Sequence, residues 1–272
     1  METSSYPCRV CLDKTTPIGT TDFNKSGNDH FEGNRLFPVS EDLVEYYRCQ
    51  RCGYMFTPFF DQWEHHDFQQ RIYNQDYLLA DPPFAGERPE RLAAYLTDLL
   101  GTDYRHISML DYGGGEGLLE QYLNRQGISH CTTYDPYHHT NSLPPEGKFS
   151  LVTAFEVVEH VQDQYQLFRE LCSLTENDGV LLFSTLLQPE NIDRVGTDWW
   201  YVCPRNGHMA FHTQESLKWV LKEFSFCLQS LSDEIHIAWR NPNDIARRFI
   251  NRAETVQVNT PSPTQLTADS VN

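Results

Sequence analysis

Asp111-Tyr112-Gly113-Gly114-Gly115-Glu116-Gly117 is the stretch that decides the fold of this chain. Met109 and Leu110 precede it, and Leu118-Leu119 open an amphipathic pattern behind it, so the segment reads as a strand, a tight turn and a helix start. Glycines let the backbone turn sharply and approach a ligand where a side chain would collide. A dinucleotide fingerprint, G-x-G-x-x-G, would place its third glycine at Leu118, whereas glycines stand at 113, 115 and 117. No Lys-Ser/Thr pair follows, which removes a P-loop. An adenosyl ligand without a phosphate chain fits this register better than either.

Outward from the turn, Leu92, Tyr95, Leu96, Leu99 and Leu100 recur at helical spacing before Gly101. Downstream the pattern alternates: strand 106–112, helix 118–125, strand 131–134, strand 150–155, helix 163–174 and strand 179–186. A helix over 214–223 and strands over 226–231 and 235–239 complete the series with an antiparallel edge, and 243–250 reads as a last helix. Strands separated by helices predict an α/β fold, a doubly wound, mainly parallel sheet.

Three further blocks follow the turn in order. Asp135 ends the short strand 131–134, placed to accept both ribose hydroxyls; Ser150 to His160 runs from an apolar strand into the polar tip Phe155-Glu156-Val-Val-Glu159-His160; and Leu174 to Thr185 carries another strand. With these blocks in this order, residues 88 to 240 resemble the class I S-adenosylmethionine-dependent methyltransferases, whose fold is Rossmann-like. The resemblance implies S-adenosylmethionine as cofactor. It implies Asp111, Gly113, Gly115 and Gly117 around the methionine and ribose, Asp135 as the ribose ligand, and Phe155 and Glu156 bordering the donor site. The family's adenine-contacting residue has no clear counterpart in His138 to Gly147.

Four of the eight cysteines form two pairs, Cys8-x-x-Cys11 and Cys49-x-x-Cys52. The segment between them, Thr15 to Glu45, is polar and too poor in apolar periodicity to build a core, so something other than hydrophobic burial must hold it. Two Cys-x-x-Cys knuckles present four thiolates to one tetrahedral Zn²⁺, and with four protein ligands that zinc is structural. Disulfides are disfavoured in a chain without an evident export signal, and neither pair opens a helix after a strand as a redox motif does. A small zinc-ribbon-like module ahead of a methyltransferase domain also resembles, more loosely, bacterial sugar C-methyltransferases.

Against 21 basic residues stand 38 acidic ones, a formal charge of −17, which repels a phosphate backbone and argues against nucleic acid as partner. No apolar run approaches the ~20 residues of a bilayer span, so no membrane insertion is expected, and the short polar N-terminus predicts a cytoplasmic protein. The expected organisation is a zinc-binding module over 1–57, an aromatic bridge over 58–87, the methyltransferase domain over 88–252 and a disordered tail over 253–272. On the acceptor side, His160 and His208 are the candidate catalytic residues, since an imidazole near its ordinary pKa serves as a base at neutral pH. Trp199, Trp200 and Tyr201 are divided between pocket wall and core, whereas His65-His66 and His138-His139 read as surface residues. The predicted function is methyl transfer to a small-molecule or sugar/glycan-precursor acceptor. The alternative is a zinc-braced binding or scaffold protein that has lost catalysis.

Overall fold

The computed structural model describes residues 6–138 and 143–257. Two compact units emerge: the described parts of Met1–Pro82 with Val158–Tyr165 and Leu186–Val220, and of Pro83–Val157 with Gln166–Thr185 and Leu221–Asn272.

The second unit contains a six-stranded sheet in the spatial order Cys131–Tyr134, Met109–Tyr112, Phe149–Ala154, Thr175–Ser184, Ile235–Trp239 and Cys227–Ser230. The first four strands pair in parallel, and Ile235–Trp239 pairs antiparallel with both of its neighbours. This is the mixed α/β sheet expected from the alternating pattern. Helix Glu87–Leu100 turns Leu92, Ala93, Leu96, Leu99 and Leu100 inward, and Leu118–Arg125 adds Leu119 and Leu123. They join Met109, Leu151, Val180, Leu182 and Ile237 of the strands in one apolar cluster. The final helix runs Asp244–Gln257, beyond the expected end at Ile250, because Ala253 continues its buried stripe after Phe249 and Ile250. Residues 258–272 of the predicted tail lie outside the described residues.

Chain order fixes where a ligand can sit in this unit. The chain leaves the central strand Met109–Tyr112 for Cys131–Tyr134 on one side and returns to Phe149–Ala154 on the other. Connections that diverge in this way open a crevice at the carboxyl ends of the strands, and the glycine turn stands at that end.

In the first unit the polar segment Thr15 to Glu45, too poor in apolar periodicity to build a core, includes an eight-residue strand, Thr15–Asp22, paired antiparallel with Leu43–Cys49. The sheet continues through Met55–Phe56 and Ala210–Phe211. Thr15–Asp22 is an edge strand with mostly exposed or half-buried residues, so it needs little apolar periodicity. Its partner supplies the buried Val44, Tyr46 and Tyr47. The aromatic residues after the second cysteine pair belong to this unit, where Phe59, Phe60, Trp63 and Phe68 form a chain of ring contacts that includes Phe23. Among the described residues, no helix is long and apolar enough to cross a membrane.

One core group carries a pH dependence. Asp111 is 3% exposed, and burial pushes its carboxyl up to about 7, with Glu120 and Asp135 adding to the rise and the Thr153 hydroxyl, which donates to Oδ1 at 3.1 Å, opposing it. Between the ordinary carboxylate range and pH 7 the folded chain therefore holds a proton that the unfolded chain has released. The contribution of Asp111 to stability is complete at low pH and lost as pH rises through this window, at up to roughly 1.4 kcal/mol per pH unit. Asp111→Asn keeps an acceptor for Thr153 but does not titrate. Urea unfolding between pH 5 and 8 should show the wild type losing stability relative to the variant as pH rises, and parallel curves would contradict the raised pKa.

Candidate functional site

Three glycines give the turn its path, with φ of 75° at Gly113, 54° at Gly115 and 75° at Gly117. At Gly113 a Cβ would stand 2.5 Å from Val157 Cγ2, so the interior excludes any side chain there. At Gly115 a Cβ would meet no atom within 4 Å: its absence leaves backbone accessible rather than relieving a clash. Gly114 lies directly above Asp111, where a Cβ would be 2.1 Å from the carboxylate. Asp111 therefore underlies the turn, while Gly117 caps the helix beginning at Leu118.

Asp135 is brought to this turn. Its Oδ2 accepts the Gly115 N–H at 3.0 Å and its Oδ1 accepts the Tyr137 N–H at 2.9 Å. Each carboxylate oxygen has a second lone pair for a hydroxyl donor. Phe155 is buried in the apolar cluster. Glu156 follows it in the left-handed region, φ 55°, an uncommon conformation for a residue with a side chain and one that often marks a functional site. The Glu156 N–H donates to Ser184 Oγ at 2.7 Å, that hydroxyl donates back to Glu156 Oε1 at 2.9 Å, and Arg88 approaches the other oxygen at 3.9 Å. Asp111, the three glycines, Asp135, Phe155 and Glu156 thus all lie in the second unit, at the carboxyl ends of its central strands.

The four paired cysteines converge in the first unit, their sulfurs within 4.8 Å of one another. Cys8 and Cys52 are 3.6 Å apart and Cys11 and Cys49 3.4 Å. Tetrahedral Zn–S bonds of about 2.3 Å would separate sulfurs by roughly 3.8 Å, so the cluster needs little adjustment to hold the ion. The amides of Val10 and Cys11 point at Cys8 Sγ, and those of Arg51 and Cys52 point at Cys49 Sγ, all at 3.4 to 3.5 Å. These donors favour thiolate. The Cys52 thiol donating to Cys8 pulls the latter down to about 5, whereas Cys52 itself is pushed up. Each knuckle ends on a left-handed residue, Leu12 at φ 61° and Gly53 at φ 74°; the second follows the glycine signal, and the first has none in the sequence.

His160 and His208 also meet in the first unit, with ring centroids 4.8 Å apart and planes at 83°. Val158–His160 forms a single 3-10 turn, and the loop from Tyr201 folds back over Gly207, φ 89°, to bring His208 beside it. Glu159, next to His160 in the chain and fully buried, accepts the Tyr201 hydroxyl at 2.7 Å. The Tyr201 carbonyl accepts the His208 Nδ1–H at 2.9 Å, with the Cys203 sulfur 3.3 Å from the same nitrogen. A carbonyl only accepts, so this bond assigns the His208 proton to Nδ1 and its lone pair to Nε2. Tyr73, from the aromatic segment, reaches His160 Nδ1 at 3.4 Å. Tyr201 and Trp199 are buried against Phe211, whereas Trp200 is half-buried and stacks on His30. The supporting roles of Tyr201 and Tyr73 have no motif; they arise from a backbone carbonyl and a long-range contact. His65 and His66 are exposed, as expected, His138 is half-buried and His139 lies outside the described residues.

No curated protein matches the chain. Among solved structures, an O-methyltransferase family protein from Burkholderia thailandensis is similar at 13% identity, over 57% of this chain and 58% of that one, with a TM-score of 0.43. The chain thus spans less than two thirds of that protein. Magnesium protoporphyrin IX methyltransferase from Synechocystis PCC 6803 is similar at 14% identity over 66% of this chain and 96% of its own, TM-score 0.41. The 1,6-didemethyltoxoflavin-N1-methyltransferase of Burkholderia thailandensis is similar at 14% over 66% and 87%, TM-score 0.45. The methyltransferase domain profile matches residues 84–231, more than half of the chain, and the chain therefore belongs to the methyltransferase family.

Proposed function

We propose that the protein transfers a methyl group from S-adenosylmethionine to a small-molecule or sugar/glycan-precursor acceptor. One observation carries this reading: an open glycine backbone at the carboxyl ends of the central strands, with the Asp135 carboxylate hydrogen-bonded to Gly115. Asp135 is the ribose ligand, Gly113, Gly115 and Gly117 shape the donor cradle, Asp111 holds the cradle from below, and Phe155 and Glu156 border it. Methyl transfer from a sulfonium is an in-line displacement, which requires alignment, exclusion of water and, for an acceptor that must lose a proton, a base. His208 and His160 are the acceptor-side groups, and the Nε2 lone pair of His208 suits proton abstraction or contact.

Zinc at Cys8, Cys11, Cys49 and Cys52 braces the first unit. The sulfur spacing and amide donors support this assignment, and four thiolates around one ion leave no position for substrate.

Calorimetry with S-adenosylmethionine on zinc-loaded full-length protein is the direct test: saturable binding is expected, and its absence would favour an inactive scaffold. Asp135→Ala should weaken that binding by about 1 to 3 kcal/mol through unpaired ribose hydroxyls, and unchanged affinity would move the ribose site elsewhere. Cys49→Ser should release zinc and lower the melting temperature, with retained metal content removing Cys49 from the ligand set. His208→Ala should abolish turnover on the acceptor found by incubating a lysate with labelled donor; a normal rate would exclude His208 from the reaction.

A further inference from the structure

Glu159, His160 and His208 present three metal-ligating side chains whose ligand atoms, one from each, lie within 4.8 Å of one another. Two of the three residues are buried and His160 is half-buried. Met209 N–H donates to the Glu159 carbonyl at 2.9 Å, which ties the loop carrying His208 to the turn carrying the other two. Gly207 completes the approach, for a Cβ there would stand 3.3 Å from His160 Nδ1.

From this arrangement we propose a second metal site, separate from the cysteine cluster, in which Glu159, His160 and His208 bind a divalent transition ion. Two imidazoles and one carboxylate supply nitrogen and oxygen donors with a single negative charge, a set that suits such ions and leaves coordination positions open. The surrounding hydrogen bonds have the form such sites require, because ligating imidazoles are oriented through their other nitrogen and ligating carboxylates through an added donor. Tyr201 does both: its carbonyl holds His208 Nδ1–H at 2.9 Å and its hydroxyl holds Glu159 Oε1 at 2.7 Å. Tyr73 stands at His160 Nδ1, 3.4 Å away. Ligation by His208 thereby falls to Nε2, and Cys203, on the Nδ1 side of that ring, is outside the ligand set. The open positions fit an acceptor oxygen; only this last point rests on the methyl-transfer reading, whereas metal binding does not.

Titration of the metal-free, reduced full-length chain with Co²⁺, followed by absorbance and elemental analysis, tests the site. Two equivalents per chain are expected. One should show the near-ultraviolet thiolate charge-transfer band and disappear in Cys49→Ser; the other should lack that band and disappear in His160→Ala and in His208→Ala. Retention of the thiolate band in the histidine variants shows that the first unit is still folded. Tyr201→Phe, which removes the hydroxyl that donates to Glu159 and accepts the Leu186 N–H, should weaken the second equivalent by about 10- to 100-fold. A single equivalent in the wild type, or a second that persists in both histidine variants, overturns the proposal. Two equivalents without S-adenosylmethionine binding would sustain this site and defeat the methyl-transfer reading instead.

Discussion

The second unit depends on the contact between the Asp111 carboxylate and the backbone above it. A buried carboxyl group must be either neutralised or compensated, and here it is brought toward neutrality and hydrogen-bonded by Thr153. Because its oxygen occupies the place where a side chain at Gly114 would begin, the chain must cross it as bare backbone. Val157 imposes the same condition at Gly113. The interior of the unit, before any ligand is considered, thus demands two of the glycines. Gly115 is different in kind, since no protein atom within 4 Å of the Cβ position forbids a side chain, although its φ of 54° disfavours one. That difference locates the accessible face of the turn at Gly115 and the supporting face at Gly113 and Gly114.

A different constraint governs the first unit. Thr15–Asp22 offers its partner backbone hydrogen bonds but few apolar side chains, and an isolated strand pair of this kind is marginal in water. Aromatic contacts through Phe60, Trp63 and Phe68 supply part of the missing burial. The sulfur cluster ties the segment before the first strand to the end of the second, since Cys49 closes Leu43–Cys49. A metal there would convert binding energy directly into folding energy.

How much of this was legible depends on whether a residue's signal is local. Helices Leu118–Arg125 and Gln214–Glu223 and strands Cys131–Tyr134 and Ile235–Trp239 match their expected limits, because periodicity and glycine breaks are encoded within each segment. Strand Met109–Tyr112 starts later than expected because His106 ends a 3-10 turn, and Thr175–Ser184 starts earlier because its polar first residues, Thr175 to Asp178, carry no apolar alternation. The edge strand Thr15–Asp22 lacks an apolar alternation for the same reason: an edge needs pairing more than burial. The four cysteines were readable as a cluster from spacing alone, whereas the left-handed Leu12 was not, for no sequence rule assigns that conformation to leucine.

The most instructive gap is Tyr201. As a sequence feature it was one of three adjacent aromatics, equally suited to core or pocket wall, and its ring does pack in the core against Trp199 and Phe211. Its polar work is done at the two ends of the residue. The hydroxyl engages Glu159, and the carbonyl, an atom every residue possesses, sets the tautomer of His208. Hydropathy registers only the ring between them. A histidine's chemistry is decided by which nitrogen bears the proton, so what the His208 ring can offer is set by a neighbour's backbone. Composition and spacing can nominate the imidazole, but only the folded path from Tyr201 to His208 determines what that imidazole presents.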